Sequence, residues 1–195
     1  MSYFARFMRL RNSDFRFDTR IYLRESPRDE QDGECVAAIV AKNPGSAQAT
    51  VRGQWGPLEL ANDKMLPSVR KRFIDGYRLS GKAIPRSAFV RVWNLFYLCD
   101  NNLQSAILAV RRFDAPPICK GEATVPAIVW FAWGGSDARL NPFKTRFRGL
   151  TVPHAFFYDQ ELGRVVSAIP STTDFAKHPQ GLRSEPIVEH LGTIL

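Results

Sequence analysis

Residues 35–45 read CVAAIVAKNPG, an uninterrupted apolar run that ends abruptly in a polar turn. A run that is apolar at successive positions is typical of a strand buried on both faces, and such strands lie in the middle of parallel sheets. The Asn-Pro-Gly that follows the run is typical of a tight turn. The stretch therefore predicts a central parallel strand over residues 35–41, with a polar loop at its carboxyl end.

Two more stretches repeat this pattern, AFVRVWNLF at 88–96 and PAIVWFAW at 126–133. Between the strands, apolar residues recur at the spacing of helices that pack on a sheet. The other predicted elements are a loop at 46–62, helices at 66–79 and 100–113, strands at 151–158 and 165–169, and a short helix at 187–191. Alternating strands and helices predict an α/β fold: a three-layer α/β/α domain around a central, mainly parallel sheet of four to five strands.

The N-terminal segment has a different pattern. FRFDTRIYL at 15–23 alternates apolar and polar residues, which predicts a strand or hairpin with one solvated face. SPRDEQDG at 26–33 predicts a charged turn. We therefore expect a single domain over 1–195, in which residues 1–34 form an N-terminal hairpin appendage and residues 35–195 form the α/β core.

Composition and charge narrow the class of protein. The chain has 195 residues, 45% of them hydrophobic and 24% charged, which is typical of a globular protein. No apolar run is long enough to cross a bilayer, and the charged N-terminus lacks the apolar core of a signal peptide, so we expect a cytoplasmic protein. The net charge is +8, and basic residues concentrate at 63–91 and 111–148. This excess of cations favours a polyanionic partner such as nucleic acid.

Cysteine and histidine are too few and too scattered for a zinc site. The three cysteines lie far apart and the chain has only three histidines, with no metal-ligand spacing among them. We therefore expect reduced thiols, no metal and no cofactor.

Polar or glycine residues come at or after the end of each predicted buried strand. These are Asn43 with Pro44 and Gly45, then Asn94, then Gly134, while His178 lies in a later polar loop. Ligands bind at the carboxyl ends of parallel strands. We therefore expect these groups to meet at one edge of the sheet.

The order of these motifs resembles that of the uracil-DNA glycosylase superfamily. AKNPGSAQA at 41–49 is similar to the GINPGxxSA motif of the mismatch-specific branch and to the GMNPG motif of the single-strand-selective branch. HPQGLRS at 178–184 is similar to the HPSP and NPSGLSR motifs that come last in those proteins. The same order, with Asn-Leu-Phe and Trp-Gly between, also resembles a bacterial and phage family of unknown function over residues 35–184.

The resemblance implies a role for several side chains. Asn43 would position the attacking water, and His178 would stabilise charge on the departing base. Asn94 would read the base edge, Trp55 would stack on a flipped base, and Leu182 would be the wedge that fills the gap left in the duplex. The remaining positions implied to line the base pocket or to contact DNA are Pro44, Gly45, Lys42, Gly134, Arg183 and Ser184.

Two departures from the glycosylase motifs keep other interpretations open. Ala41-Lys42 stands where those motifs have Gly-x, and Gln180 stands where the last motif has Ser. Lys42 fits a phosphate contact, an amine nucleophile or an ordinary solvated cation. Trp55 and Leu182 fit ordinary core positions as well as the roles above.

The leading hypothesis is a DNA glycosylase that hydrolyses the N-glycosidic bond of a damaged or modified base after base flipping, with single- or double-stranded DNA as its partner. No metal or membrane is required. The alternatives are a protein that binds free nucleotides or nucleosides, and a non-catalytic nucleic-acid-binding protein or a phage or defence interaction protein on the same fold.

Overall fold

The computed structural model describes residues 1–25, 33–49 and 53–195, and these form a nine-stranded mixed sheet with helices on its faces. The strands are β1 (Tyr3–Leu10), β2 (Ser13–Tyr22), β3 (Cys35–Ala41), β4 (Gln48–Ala49), β5 (Trp55–Glu59), β6 (Phe89–Asn94), β7 (Ile128–Phe131), β8 (His154–Asp159) and β9 (Arg164–Val166). The α-helices are α1 (Met65–Ser80), α2 (Leu103–Val110), α3 (Asn141–Thr145) and α4 (Glu185–Ile194), and short 3-10 helices span Lys120–Ala123 and Ala138–Leu140.

The strand order is β4-β5-β1-β2-β6-β3-β7-β8-β9. Strands β6, β3, β7 and β8 are parallel to one another. The other five of the eight neighbouring pairs in the described residues are antiparallel. The predicted fold, a central and mainly parallel sheet of four to five strands, is therefore wrong: the sheet is larger and mostly antiparallel.

The N-terminal hairpin is the main reason for this difference. Arg11 and Asn12 connect its strands with positive φ angles of 46° and 63°, the conformation of a tight two-residue hairpin turn. The segment Thr19–Tyr22 then pairs antiparallel with β6. Residues 3–22 therefore lie inside the sheet and not beside it. Alternating residues predict a strand, but they carry no information about which neighbour that strand pairs with.

The predicted loop at 46–62 also joins the sheet. Its described part contains β4 and β5, and β5 pairs with β1. Gly56 and Pro57 interrupt the strand pattern, and proline is tolerated near the edge of a sheet because few ladder hydrogen bonds are lost there. The charged turn predicted at 26–33 lies almost entirely outside the described residues.

The helices cover both faces of the parallel strands. On one face, α1 and α4 pack over Ile39, Val92 and Trp130. On the other face, α2 and α3 pack over Val40 and Phe131. Each buried strand therefore contributes to two cores, which explains its apolar run.

The ends of the two longest predicted helices follow local capping rules. The Asp63 carboxylate accepts hydrogen bonds from the backbone N–H groups of Met65 and Leu66 at 3.0 and 3.2 Å. Gly81, with φ at 72°, ends α1 in the left-handed conformation. Asn102 accepts a hydrogen bond from the N–H of Ser105 and begins α2. Among the described helices, none is long and apolar enough to cross a membrane.

Candidate functional site

The carboxyl ends of β3, β6, β7 and β8 lie at one edge of the sheet because these strands are parallel. Lys42 and Asn43 follow β3 directly, and Gly134 follows β7 after two buried residues. The topology therefore brings three of the sequence-predicted groups, those at Asn43, Asn94 and Gly134, to the same edge.

At Gly134, the loop that contains His178 meets the residues that follow β3. Its φ is 67°, and its N–H donates to the carbonyl of Ala176 at 2.7 Å. A Cβ built on Gly134 would lie 3.4 Å from Cβ of His178 and 3.9 Å from Nζ of Lys42. The structure therefore places Lys42, Gly134 and His178 together, and a glycine leaves the space between them open.

His178 is a neutral hydrogen-bond donor at this edge. Burial, and secondarily the positive charge of Lys42, lowers the pKa of His178 to about 4, against a smaller opposing effect of Asp63. Its Nδ1 accepts a hydrogen bond from the backbone N–H of Gln180 at 3.2 Å. A neutral imidazole carries one proton, so that proton is on Nε2. His178 therefore offers an Nε2–H donor without carrying a charge.

Lys42 supplies positive charge beside this donor. In the described part of the chain, no carboxylate lies within 4.0 Å of its ammonium group, and the side chain is half-buried. Its charge also contributes to lowering the pKa of Lys144, after burial, which is the main cause. The Lys144 ammonium donates to the carbonyl of Thr172 at 2.7 Å and lies 5.5 Å from the ring of Trp133. The two lysines thus supply positive charge at this edge, and the carboxylate of Asp137 partly offsets it at both of them.

Asn43 has its amide orientation fixed by backbone carbonyls. Its Nδ2 donates to the carbonyl of Asp100 at 2.9 Å and contacts that of Pro44 at 3.4 Å. Carbonyl oxygens are acceptors only, so the amide nitrogen must face them and Oδ1 is left as an acceptor. Asn43 is therefore held as a hydrogen-bond acceptor, which is the group needed to orient a water molecule.

A cavity of about 550 Å³ adjoins the loop after Asn43 and is lined in part by Gly45, Ser46 and Asp100. This volume suits a small-molecule ligand. Cys99 also lines it, and burial raises the pKa of this thiol to about 11. The thiol therefore stays protonated at neutral pH and is a poor nucleophile.

A buried ion pair that the sequence analysis missed holds this loop. Arg16 is fully buried; its Nη1 donates to the carbonyl of Ala47 at 3.2 Å and lies 4.0 Å from Oδ2 of Asp63. A Cβ built on Gly45 would lie only 2.7 Å from the same carboxylate oxygen. Burial of Arg16 was not predicted, because this residue lies between Phe15 and Phe17, where an alternating strand is expected to have a solvated side chain. A signal did exist for Asp63, because aspartate just before a helix is a capping residue.

Two residues predicted to act on DNA lie in apolar packing. Trp55 on β5 stacks on Phe4 with ring centroids 4.7 Å apart and planes at 11°, four positions from β3 in the strand order. Leu182 is only 7% exposed and packs in the α1 core. In this structure, neither side chain projects at the edge that holds His178.

The other predicted positions divide between surface and interior. Asn94 is fully buried, and neither atom of its side-chain amide has a hydrogen-bond partner among the described residues. Pro44 is buried, and Gly45 is exposed. Arg183 is exposed, and Ser184 immediately precedes α4.

Comparison with protein-family models, with curated proteins and with solved structures found no match. Among the described residues, no group of three or more His, Cys, Asp or Glu side chains could hold a metal ion. The chemistry of Lys42, Asn43 and His178 is therefore the basis for a functional argument.

Proposed function

We propose that this edge of the sheet binds an unpaired nucleotide and hydrolyses its N-glycosidic bond. The observation that carries the proposal is the pairing of a neutral Nε2–H donor on His178 with the ammonium group of Lys42 across Gly134. Such a pair stabilises negative charge that develops on a departing base, because a hydrogen bond and a nearby cation both strengthen as that charge grows.

The reaction needs a positioned water and a stabilised leaving group. The water oxygen forms a bond to C1′ of the sugar while the bond from C1′ to the base nitrogen breaks, and that electron pair moves to the base. Oδ1 of Asn43 orients the water, and Nε2–H of His178 donates to an oxygen of the base. The proton lost by the water passes to solvent, and the base takes one up.

An unpaired nucleotide is favoured over a base inside a duplex. Opening a duplex costs a few kcal/mol and usually employs an aromatic platform and an apolar wedge. Trp55 and Leu182, the residues predicted for these roles, pack in apolar clusters. A single strand and a free nucleotide present the same chemistry, and the net charge of +8 favours the strand.

The test is a base-release assay at low salt on single strands, duplexes and free nucleotides containing uracil, hypoxanthine, xanthine or modified pyrimidines. Abasic products in the strands are revealed by alkali cleavage, and free bases by chromatography. The informative variant is His178→Ala, which removes the Nε2–H donor, and the matched control is His154→Ala, because His154 is an exposed histidine on β8.

Release from unpaired substrate that falls about a hundredfold in His178→Ala, with no change in His154→Ala, is the expected result. Lys42→Met should also reduce the rate, while Lys64→Met, at an exposed lysine, should not. Absence of release from every substrate by folded wild-type protein would overturn the proposal, as would equal loss in both histidine variants.

A non-catalytic nucleic-acid-binding protein is the second candidate. The observation that favours it is the position of the carboxylates near the edge: Asp63 is buried against Arg16, and Asp137 is held by Arg139 at 2.7 Å. These two carboxylates of the described residues are thus engaged by arginines and are not free to take a proton from water. This candidate predicts salt-sensitive binding of single strands, unchanged in His178→Ala and without turnover.

A further inference from the structure

A second cavity lies against the sheet, away from the carboxyl-end edge. It has a volume of about 560 Å³ and is formed by residues of β1, β2 and β6 and by the segment 117–121. It contains none of Lys42, Asn43, Gly134 or His178. Its size is that of a site for a small organic molecule.

The charge around this cavity is unbalanced. Among the described residues, its lining has four cations, Arg6, Arg20, Arg91 and Lys120, and one carboxylate, that of Asp18. Arg20 and Arg91 are directly opposite each other on β2 and β6, and like charges in this position repel. Asp18 accepts from Nε and Nη2 of Arg20 at 3.2 and 2.9 Å, and it lies 3.7 Å from Nε of Arg91. Among the described residues, the cations of Arg6, Arg91 and Lys120 outnumber this one carboxylate, so this wall of the cavity has a net positive charge.

The two central arginines are held in place before any ligand arrives. The guanidinium of Arg20 lies 5.3 Å from the ring of Trp55 and 4.8 Å from that of Phe89. Arg91 has a side chain only 11% exposed, and its Nη1 donates to the carbonyl of Gly121 at 2.9 Å. In the part of the chain that the structure describes, the buried Nε of Arg91 has no hydrogen-bond acceptor. Ordering of these side chains therefore adds little to the cost of binding an anion.

The same cavity carries exposed apolar side chains. Met8 and Ile118 are 39% and 57% exposed, and Leu10, Phe17 and Pro117 also line the wall. Apolar groups beside fixed cations are complementary to a molecule that has an apolar body and an anionic group.

We propose that this cavity binds a small organic anion with an apolar body: a carboxylate, sulfonate or phosphate monoester. The apolar body contacts Ile118 and Met8, and the anionic group is held by Arg6 and Arg91. The site is independent of the proposed hydrolytic edge, and its occupation requires no turnover there.

The test uses 8-anilinonaphthalene-1-sulfonate, a fluorescent sulfonate with an apolar body, titrated into the full-length protein. The neutral probe N-phenyl-1-naphthylamine has the same ring system without the charge. Arg6→Gln removes a cation that holds the anionic group, and Ile118→Ser removes an apolar contact. Both positions tolerate polar residues because they are exposed. Arg148→Gln and Leu162→Ser are matched controls at exposed positions outside the cavity. Thermal unfolding of each variant verifies that it is folded.

The expected result is saturable binding of the sulfonate with one site per chain, weakened about tenfold in both Arg6→Gln and Ile118→Ser, and unchanged in the two controls. The neutral probe should bind more weakly than the sulfonate. Equal binding of the two probes, or no effect of Arg6→Gln, would overturn the requirement for an anion. Absence of saturable binding, or equal weakening in the controls, would overturn the site itself.

Discussion

His178 shows how the neighbours of one side chain set its chemistry. In solution an imidazole is partly protonated near neutral pH, and its neutral form exchanges between two tautomers. Here burial and Lys42 hold it neutral, and the N–H of Gln180 holds its proton on Nε2. A His-Pro dipeptide in a polar loop shows none of this, because each effect comes from a group elsewhere in the fold.

The lowered pKa of His178 makes a prediction about stability. Its folded-state value of about 4 lies below its ordinary value of 6.5, so the unfolded chain binds this proton first as the pH falls. The free energy of unfolding should therefore decrease between pH 6.5 and 4, and His178 should have no effect on this slope above that range. After allowance for partial exposure, we expect a loss of about 1–2 kcal/mol.

Urea denaturation of wild type and His178→Gln at several pH values from 4 to 7.5 measures this contribution. The free energy of unfolding of wild type minus that of His178→Gln should decrease as the pH falls. A constant difference over the whole range would contradict the shifted pKa.

At the scale of elements, the candidate site depends on where strands end and helices meet. Gly134 and Gly135 follow β7 with φ angles of 67° and 57°, a turn that side chains other than glycine adopt at a cost. The helices α1 and α4 approach closely at Gly76, where a Cβ would lie 2.7 Å from Cβ of Leu191. Glycine thus serves the backbone turn at the site, and at Gly76 it permits the close approach of two helices.

Alanine at Gly134 and at Gly135 should separate the effect of backbone strain from that of filling the space between His178 and Lys42. Both substitutions should reduce the free energy of unfolding by about 1–2 kcal/mol, because both place a Cβ at positive φ. A Cβ at Gly135 meets open space, whereas one at Gly134 lies between His178 and Lys42. We therefore expect base release to fall at least tenfold in Gly134→Ala only. Equal activity in the two variants would show that the space between His178 and Lys42 is not used.

Gly76→Ala should destabilise the protein although alanine is a better helix former. The intrinsic gain in a helix interior is about 1 kcal/mol. The clash with Leu191 forces α4 to shift, and overpacking of this kind costs about 1–3 kcal/mol. Thermal unfolding of Gly76→Ala should show a lower Tm than that of wild type. The control is Gly149→Ala, which should cause no clash because a Cβ there meets nothing within 4 Å. A raised Tm in Gly76→Ala would refute the close approach.

For the whole molecule, the buried Arg16–Asp63 pair joins three distant parts of the chain. Arg16 comes from β2, Ala47 from the loop after β3, and Asp63 from the residues that begin α1. Burial lowers the pKa of Arg16, with a compensating effect from Asp63. Through Arg16, the N-terminal hairpin is therefore in direct contact with the loop that carries Asn43.

A double-mutant cycle should reveal this connection. Arg16→Met leaves a buried carboxylate without its cation and should cost about 3–5 kcal/mol of the free energy of unfolding. Arg16→Met combined with Asp63→Asn should cost less than the sum of the two single variants, because the second change removes the unpaired charge. Urea denaturation measures all four proteins. Additive losses would contradict the coupling. The control is Arg139→Met, which breaks the exposed pair with Asp137 and should leave the free energy of unfolding unchanged.

Local patterns predicted most of the elements of this fold. The strands near 35–41, 88–96 and 126–133 and the helix near 66–79 are all present, and Gly81 ends that helix as its sequence indicates. Apolar periodicity reports how many faces of an element are buried, and a cap acts within a few residues, so both can be recognised without knowledge of the partner. Strand β5 was not predicted, because glycine and proline interrupt its pattern and its pairing with β1 is not visible in the local sequence.

The amino-acid sequence alone predicts most of the strands and helices, although not β4, β5 or α3, together with the excess of positive charge and the motifs that contain Lys42, Asn43, Gly134 and His178. Only the tertiary structure decided that the N-terminal hairpin pairs with β6, that Trp55 and Leu182 pack in apolar clusters, and that Arg16 is buried against Asp63. The physical reason is the range of the interactions. Burial pattern and capping are local, whereas strand pairing, ion pairing and the pKa of a histidine depend on residues far apart in sequence, brought together by the fold.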